Sequence, residues 1–292
     1  MFKKILFSLF LIFIAVSLSA DVVFDQVTKI SGIPGMGGME MYSTTYIKGD
    51  KQRTDITTKM ATGIPGMPGG GEGMMTTMII DLKKDVMRTL MPDSKTYSEM
   101  SLKKMREMMK EFGKEAGDES PEIPVPEIDV KKTKKSKVIN GFKCNQVVIE
   151  MKSKMTDPET GEKATATFTL DLWLTEKMAG RKEVESFSAK LTEAMTGEKV
   201  EGMDFSQLFS NLKNILPGQY GKAGEEMGKK MKDVKGYPIL TTFKIEIGGK
   251  EEPFTLSSST EIKSVKVKSV PDSKFKIPEG YTKMTMPGMP GM

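Results

Sequence analysis

The chain has 292 residues, 38% of them hydrophobic, and carries 44 Lys+Arg against 39 Asp+Glu for a net charge of +5. It has no histidine and a single cysteine, Cys144, which removes the usual zinc ligand, every histidine-based triad and any intramolecular disulfide. Charges of both signs are interspersed, without the concentrated basic face that nucleic acid requires, so no such partner is expected.

Residues 1–20, MFKKILFSLFLIFIAVSLSA, read as a secretory signal peptide. Lys3 and Lys4 form a basic start, Ile5 to Val16 is an apolar run too short to span a bilayer, and SLSA supplies small residues for cleavage. No later segment is long and apolar enough to span. Residues 21–284 are therefore expected as a single exported domain, soluble in the periplasm or outside the cell, with a flexible Met/Pro/Gly tail at 285–292.

DVVFDQVTKI (21–30) alternates apolar and polar residues and predicts a strand. EMYSTTYIKGDKQRTDITTKM (40–60) predicts a hairpin turning at Gly49-Asp50. MTTMIID (75–81), DVMRTLMP (85–92) and KTYSEM (95–100) continue the meander, with turns at Lys83-Lys84-Asp85 and Pro92-Asp93-Ser94. Arg53 and Asp55 share one face of their strand, where pairing with Lys84 or Asp85 is expected. The period changes after Ser101, a predicted N-cap: Leu102, Met105, Met108, Met109 and Phe112 recur at helical spacing. DESPEIPVPEID (118–129) is a proline-rich extended linker.

Strands resume over 130–140, 142–155 and 163–176. In the last, Phe168, Leu170, Leu172 and Leu174 lie on one side, and Thr169, Asp171 and Trp173 on the other. The five lysines of KKTKKSK (131–137) protect an edge strand or attract anionic head groups at a membrane surface. Cys144 is expected as a buried strand residue. Helices are predicted over 184–195 and 204–216, a break over PGQYGKAG (217–224), and a short polar helix over 225–234. The chain then returns to strands over 237–249, 252–270 and 273–284. Tyr46, Tyr97 and Tyr281 are expected to anchor the sheet. Helices inserted into an antiparallel meander predict an α+β fold built on one curved sheet. A split into halves near residue 125 is the alternative, disfavoured because neither half looks self-sufficient.

YIKGDKQRTDI, then IIDLKKDVMRTLMPDSKTYSEM, INGFKCNQVVIEM, LDLWLTEKM, KGYPILTTFKI and FKIPEGYTKM, in that order, resemble an uncharacterised family of exported bacterial domains similar to the LolA/LolB-type lipoprotein carriers. The resemblance implies a half-open β-barrel whose concave face is covered by amphipathic helices and whose hollow takes acyl chains. It implies no activity and transfers no acyl-binding residue.

It also leaves the methionine load, 26 residues, without a role. SGIPGMGGMEM (31–41), TGIPGMPGGGEGMM (62–75) and MTMPGMPGM (284–292) place methionine where helix and strand cannot persist. Three readings stand. The loops are low-complexity insertions between strands, which cost little entropy; or an adaptable apolar rim; or a Cu(I) site, since thioethers suit soft ions. Met36, Met39, Met67, Met74, Met284, Met286, Met289 and Met292 would be its ligands, with Met41, Met75 and Met78 in the same clusters.

The sequence thus predicts an exported, non-enzymatic binding or carrier protein for an apolar ligand or a lipidated or hydrophobic partner, without a cofactor. No nucleophile–base pair or metal cage assembles from its motifs. Met105, Met108, Met109, Phe112, Leu208, Phe209 and Trp173 are the expected ligand contacts, and Cu(I) capture is the alternative.

Overall fold

The structure, a computed structural model, describes residues 21–33, 37–61, 73–119, 126–156, 163–197, 199, 218–248 and 254–284. The predicted signal peptide, the helix over 204–216, most of the glycine–methionine loops and the 285–292 tail lie outside these residues.

Among the described residues, twelve strands form one curved, unclosed sheet. They are β1 (Val22–Ser31), β2 (Met39–Lys48), β3 (Lys51–Met60), β4 (Met74–Asp81), β5 (Val86–Met91), β6 (Thr96–Ser101), β7 (Glu127–Ile139), β8 (Phe142–Thr156), β9 (Lys163–Thr175), β10 (Tyr237–Gly248), β11 (Phe254–Val267) and β12 (Thr282–Lys283). Their order is β12-β6-β5-β4-β3-β2-β1-β11-β10-β9-β8-β7. The first and last long strands meet, because β1 pairs with β11, and so both ends of the chain contribute to one half-open barrel. Every pairing is antiparallel except the short β12–β6 contact, which is parallel.

Among the described residues, three helices interrupt the meander: α1 (Leu102–Glu119), α2 (Arg181–Thr196) and α3 (Gly218–Met231). Ser101 caps α1, its hydroxyl accepting from the Lys104 amide at 3.0 Å. Val184 and Phe187 of α2 form a core with Val22, Ile47, Ile80, Ile239 and Ile262, joined by Leu102 at the start of α1. Met227 and Met231 of α3, with Val234, bury Ile128, Val147, Ile149, Leu172 and Leu174. A third core lies on the other side of β1 and β4, where Val23, Ile79, Leu90, Val270 and Phe275 pack with Tyr46, Tyr97 and Tyr281 around a 3-10 turn, Asp272–Phe275.

Several expectations are corrected. The predicted break at 217–224 is helical from Gly218 onwards, so α3 begins earlier than its polar sequence suggests. The segment 273–284 is not a strand: it makes the 3-10 turn and then only two ladder residues, since Pro278 cannot donate to a ladder. The proline-rich linker is shorter than 118–129, because α1 runs to Glu119 and β7 starts at Glu127. Arg53 pairs with Asp55 itself at 2.7 Å and donates to the Lys274 carbonyl at 2.9 Å, rather than reaching Lys84 or Asp85.

Candidate functional site

Residues opposite one another on neighbouring strands point to the same face, and alternate residues along a strand point to opposite faces. The register therefore sorts every strand residue. One row runs Val130–Ile149–Leu170–Phe243–Ser258–Ile30–Met39–Met60, from β7 to β3. A parallel row runs Ile128–Met151–Phe168–Ile245–Leu256, and a third Ser153–Ala166–Ile247–Phe254. On the inner side of the first row lies Val147–Leu172–Thr241–Thr260–Thr28–Met41–Thr58–Met74.

This face lies under α3 at Val147, Ile149 and Leu172 and under α2 at Val22 and Ile47, where it is the concave side; at β8 and β9 the α2 core takes Cys144 and Trp173 from the opposite side. The helices bury its inner end. Farther out, Phe168, Phe243, Ile245, Ile247, Phe254, Leu256 and Ile30 belong to none of the three cores and stay half-buried.

The electrostatics of the two faces are opposite. Among the described residues, the positions of this face on β1 to β6 and β8 to β11 carry a single charged side chain in register, the exposed Lys143 at the start of β8. The convex face holds the charges, in cross-strand or i, i+2 pairs: Lys29–Glu40 at 2.7 Å, Lys152–Glu150 at 2.8 Å, Lys244–Glu246 at 2.7 Å and Arg88–Glu99 at 2.6 Å. Asp25 is on that face too, accepting from Thr44 and Ser264 at 2.7 and 2.6 Å.

The methionines sort the same way. Met39, Met41, Met60, Met74, Met78, Met87, Met91, Met100 and Met151 all occupy concave positions, and Met75 alone of the strand methionines with a described side chain is convex. Met39 stands directly opposite Met60, and a groove of about 440 Å³ opens beside them at the outer ends of β1, β2 and β3, between Lys29, Ile30, Glu40 and Lys59. A second cavity, about 480 Å³, lies at the β5–β6 edge and is lined largely by charged residues, including Lys84, Arg88, Glu99 and Lys283.

Of the ligand contacts expected from sequence, Met105 is half-buried and Met108 is 37% exposed on α1. Trp173 is buried on the opposite side of β9 from Leu170 and Leu172, beneath the Lys137 ammonium at 3.9 Å and in one core with Ile139 and Cys144. The side chains of Met109 and Phe112, and all of Leu208 and Phe209, lie outside what is described. Of the thioethers, Met39 and Met74 share the concave face and Met284 follows β12; Met36, Met67, Met286, Met289 and Met292 lie outside the described residues. Cys144 is fully buried, and burial pushes its thiol up, against the opposing pull of Lys137.

Sequence reasoning missed the outer concave rows as a site. The signal was present in the alternation of Phe168, Leu170 and Leu172, of Phe243, Ile245 and Ile247, and of Phe254 and Leu256. Only the register aligned those three sets.

Fold and site together define a half-open β-barrel with one largely uncharged sheet face. Residues 33–204 match the domain of unknown function DUF4412, and the chain belongs to that family. No curated protein matches the chain. Among solved structures it is similar to one described as an outer membrane lipoprotein-sorting protein domain from Vibrio parahaemolyticus, at 11% identity and TM-score 0.26 over 88% of this chain and 89% of that one. It is also similar to a DUF1329 family protein from Desulfovibrio piger, at 10% identity and TM-score 0.27 over 94% and 96%.

Proposed function

We propose that this protein is an exported, non-catalytic carrier whose concave face receives an apolar ligand, an acyl chain that is either free or attached to a lipidated partner. The observation that carries the reading is the segregation of charge. A sheet face left to water normally carries polar and charged residues. Here the outer concave rows stay half-buried and apolar, and a contiguous apolar patch of this kind marks a binding surface. Methionine suits the role, since its unbranched thioether adapts to chains of different shape. The leader-like residues 1–20 support export, and no described helix is long and apolar enough to cross a membrane.

The test is equilibrium binding of a hydrophobic fluorophore to the mature chain. Phe243→Lys, which puts a charge in the middle of the apolar row, is expected to weaken binding about tenfold or more. Thr169→Lys, on the convex face of β9, is expected to leave it unchanged. Equal binding by both variants would sink the proposal. The Cu(I) alternative draws on the facing Met39 and Met60, with Met41 and Met74 in the next row. Cu(I) titration of the same protein separates the two readings: stoichiometric capture lost in Met39→Leu/Met60→Leu would favour the metal.

A further inference from the structure

The cavity of about 480 Å³ at the β5–β6 edge carries an excess of positive charge. On the central strands Lys29–Glu40 and Lys244–Glu246 match one base to one acid. Here four cations, Lys84, Arg88, Lys104 and Lys283, share a lining with two carboxylates, Asp85 and Glu99. Glu99 is already engaged: it accepts from Arg88 Nε at 2.6 Å and from Lys283 at 3.3 Å. Arg88 gives only its Nε, so among the described residues its terminal guanidinium nitrogens have no partner. Lys84 and Lys104 bond through their backbone amides, to Asp81 and Ser101, and their ammonium groups form no ion pair among the described residues.

Local structure brings these groups together. β4 ends in a 3-10 turn, Leu82–Lys84, which Asp85 closes with a φ of 51°. β6 runs directly into α1, and the Leu102 amide donates to the Asp85 carbonyl at 3.2 Å. That bond pins the turn to the start of the helix, so Lys84 and Lys104 share one rim. Arg88 and Glu99 face each other across the β5–β6 ladder, and Lys283 arrives on β12. Arg88 lies on the face opposite the apolar rows, so the cavity stands independently of the apolar-ligand reading.

Like charges gathered without counter-ions repel, and an anion between them relieves the repulsion. A phosphate fits these donors. The guanidinium offers paired N–H groups to two oxygens, and the lysines add mobile point charges. The Ser101 hydroxyl accepts from the Lys104 amide and keeps its proton to donate. We propose that this cavity binds a phosphate ester, held by Arg88, Lys84, Lys104 and Lys283. The ester belongs either to a small soluble molecule or to a lipid head group.

Two probes of the mature chain separate the sources. Calorimetric titration with sn-glycerol 3-phosphate reads the soluble ester; co-sedimentation with phosphatidylglycerol vesicles, against phosphatidylcholine vesicles, reads the head group. At least one is expected to bind, and Lys84→Gln/Lys104→Gln is expected to weaken that binding about tenfold or more. Lys131→Gln/Lys152→Gln, which removes the same charge at the far β7–β8 edge, is expected to match wild type. Asp85→Asn removes the unpaired carboxylate, keeps a residue that tolerates positive φ, and is expected to tighten binding about threefold. Glycerol phosphate binding assigns the soluble ester, and vesicle binding without it assigns the head group. If neither probe binds, if both double variants weaken binding equally, or if Lys84→Gln/Lys104→Gln binds as wild type, the site is overturned.

Discussion

Asp25 illustrates how single residues hold the curved sheet. It sits where β1 and β11 slip register, between Asp25 and Gln26, and ties Thr44 of β2 to Ser264 of β11. Burial pushes its carboxyl up, but the Ser264 and Thr44 hydroxyls and the charges of Lys266 and Lys268 outweigh it and hold the acid below its ordinary value of 3.8. A depressed carboxylate contributes stability above its unfolded value and loses it as pH falls through the folded value. Asp25 therefore stabilises the sheet fully above its unfolded value of about 3.9, and that contribution is lost progressively as pH falls through the lower folded value. Urea melts between neutral pH and pH 2 are expected to show a steep acid decline that flattens in Asp25→Asn. An unchanged acid limb would remove Asp25 from the account.

At the scale of the element, the β7–β8 hairpin does more than end the sheet. Asn140 and Gly141 both have positive φ, 48° and 83°, the geometry of a two-residue turn that follows strand twist. The Asn140 amide then donates to the Glu261 carboxylate at 2.7 Å and the Ile262 carbonyl at 2.8 Å, on β11, three strands away from β8 in the sheet. This tether draws the outer strands toward β11 and folds the hairpin over the Trp173 and Glu261 side of the sheet. Asn140→Gly keeps the turn and removes the tether. Its expected cost is about 1–2 kcal/mol in denaturant unfolding, with faster amide exchange confined to the hairpin tip. Most strands were legible because alternation survives in the sequence. The start of α3 was not, since three glycines between 218 and 224 argue against helix; packing of Met227, Met231 and Val234 on Leu172 and Ile149 overrides that propensity. The segment around Phe275 and Tyr281 alternates like a strand but is recruited by the third core, which needs a compact turn there.

For the whole molecule, the open sheet leaves two edges. β12 covers part of one, and β7 forms the other. Lys134 and Lys135 stand exposed on β7, and Lys132 reaches the Asp233 carbonyl at 2.8 Å. Charge on an edge strand opposes pairing with a second chain. Lys134→Val/Lys135→Val is expected to yield dimers and larger species in size-exclusion chromatography with light scattering, where the wild-type chain shows fewer. An unaltered profile would mean that these lysines do not guard the edge. The lysine run was readable in sequence as an edge strand because no apolar alternation accompanies it.

The sequence by itself determined the strand inventory, the edge strand and the strand placement of the buried cysteine, because each depends on local pattern and turn chemistry. It also displayed the methionine load, but drew attention to the loops. Which residues form the hollow was decided only by tertiary structure. Met39 faces Met60, Phe243 lies beside Leu170, and Thr28 meets Thr260, across separations of up to 232 residues. Ladder register is a long-range property, fixed when all twelve strands settle together. Only then does the alternation within each strand resolve into one face rich in charge and one that is largely without it among the described residues.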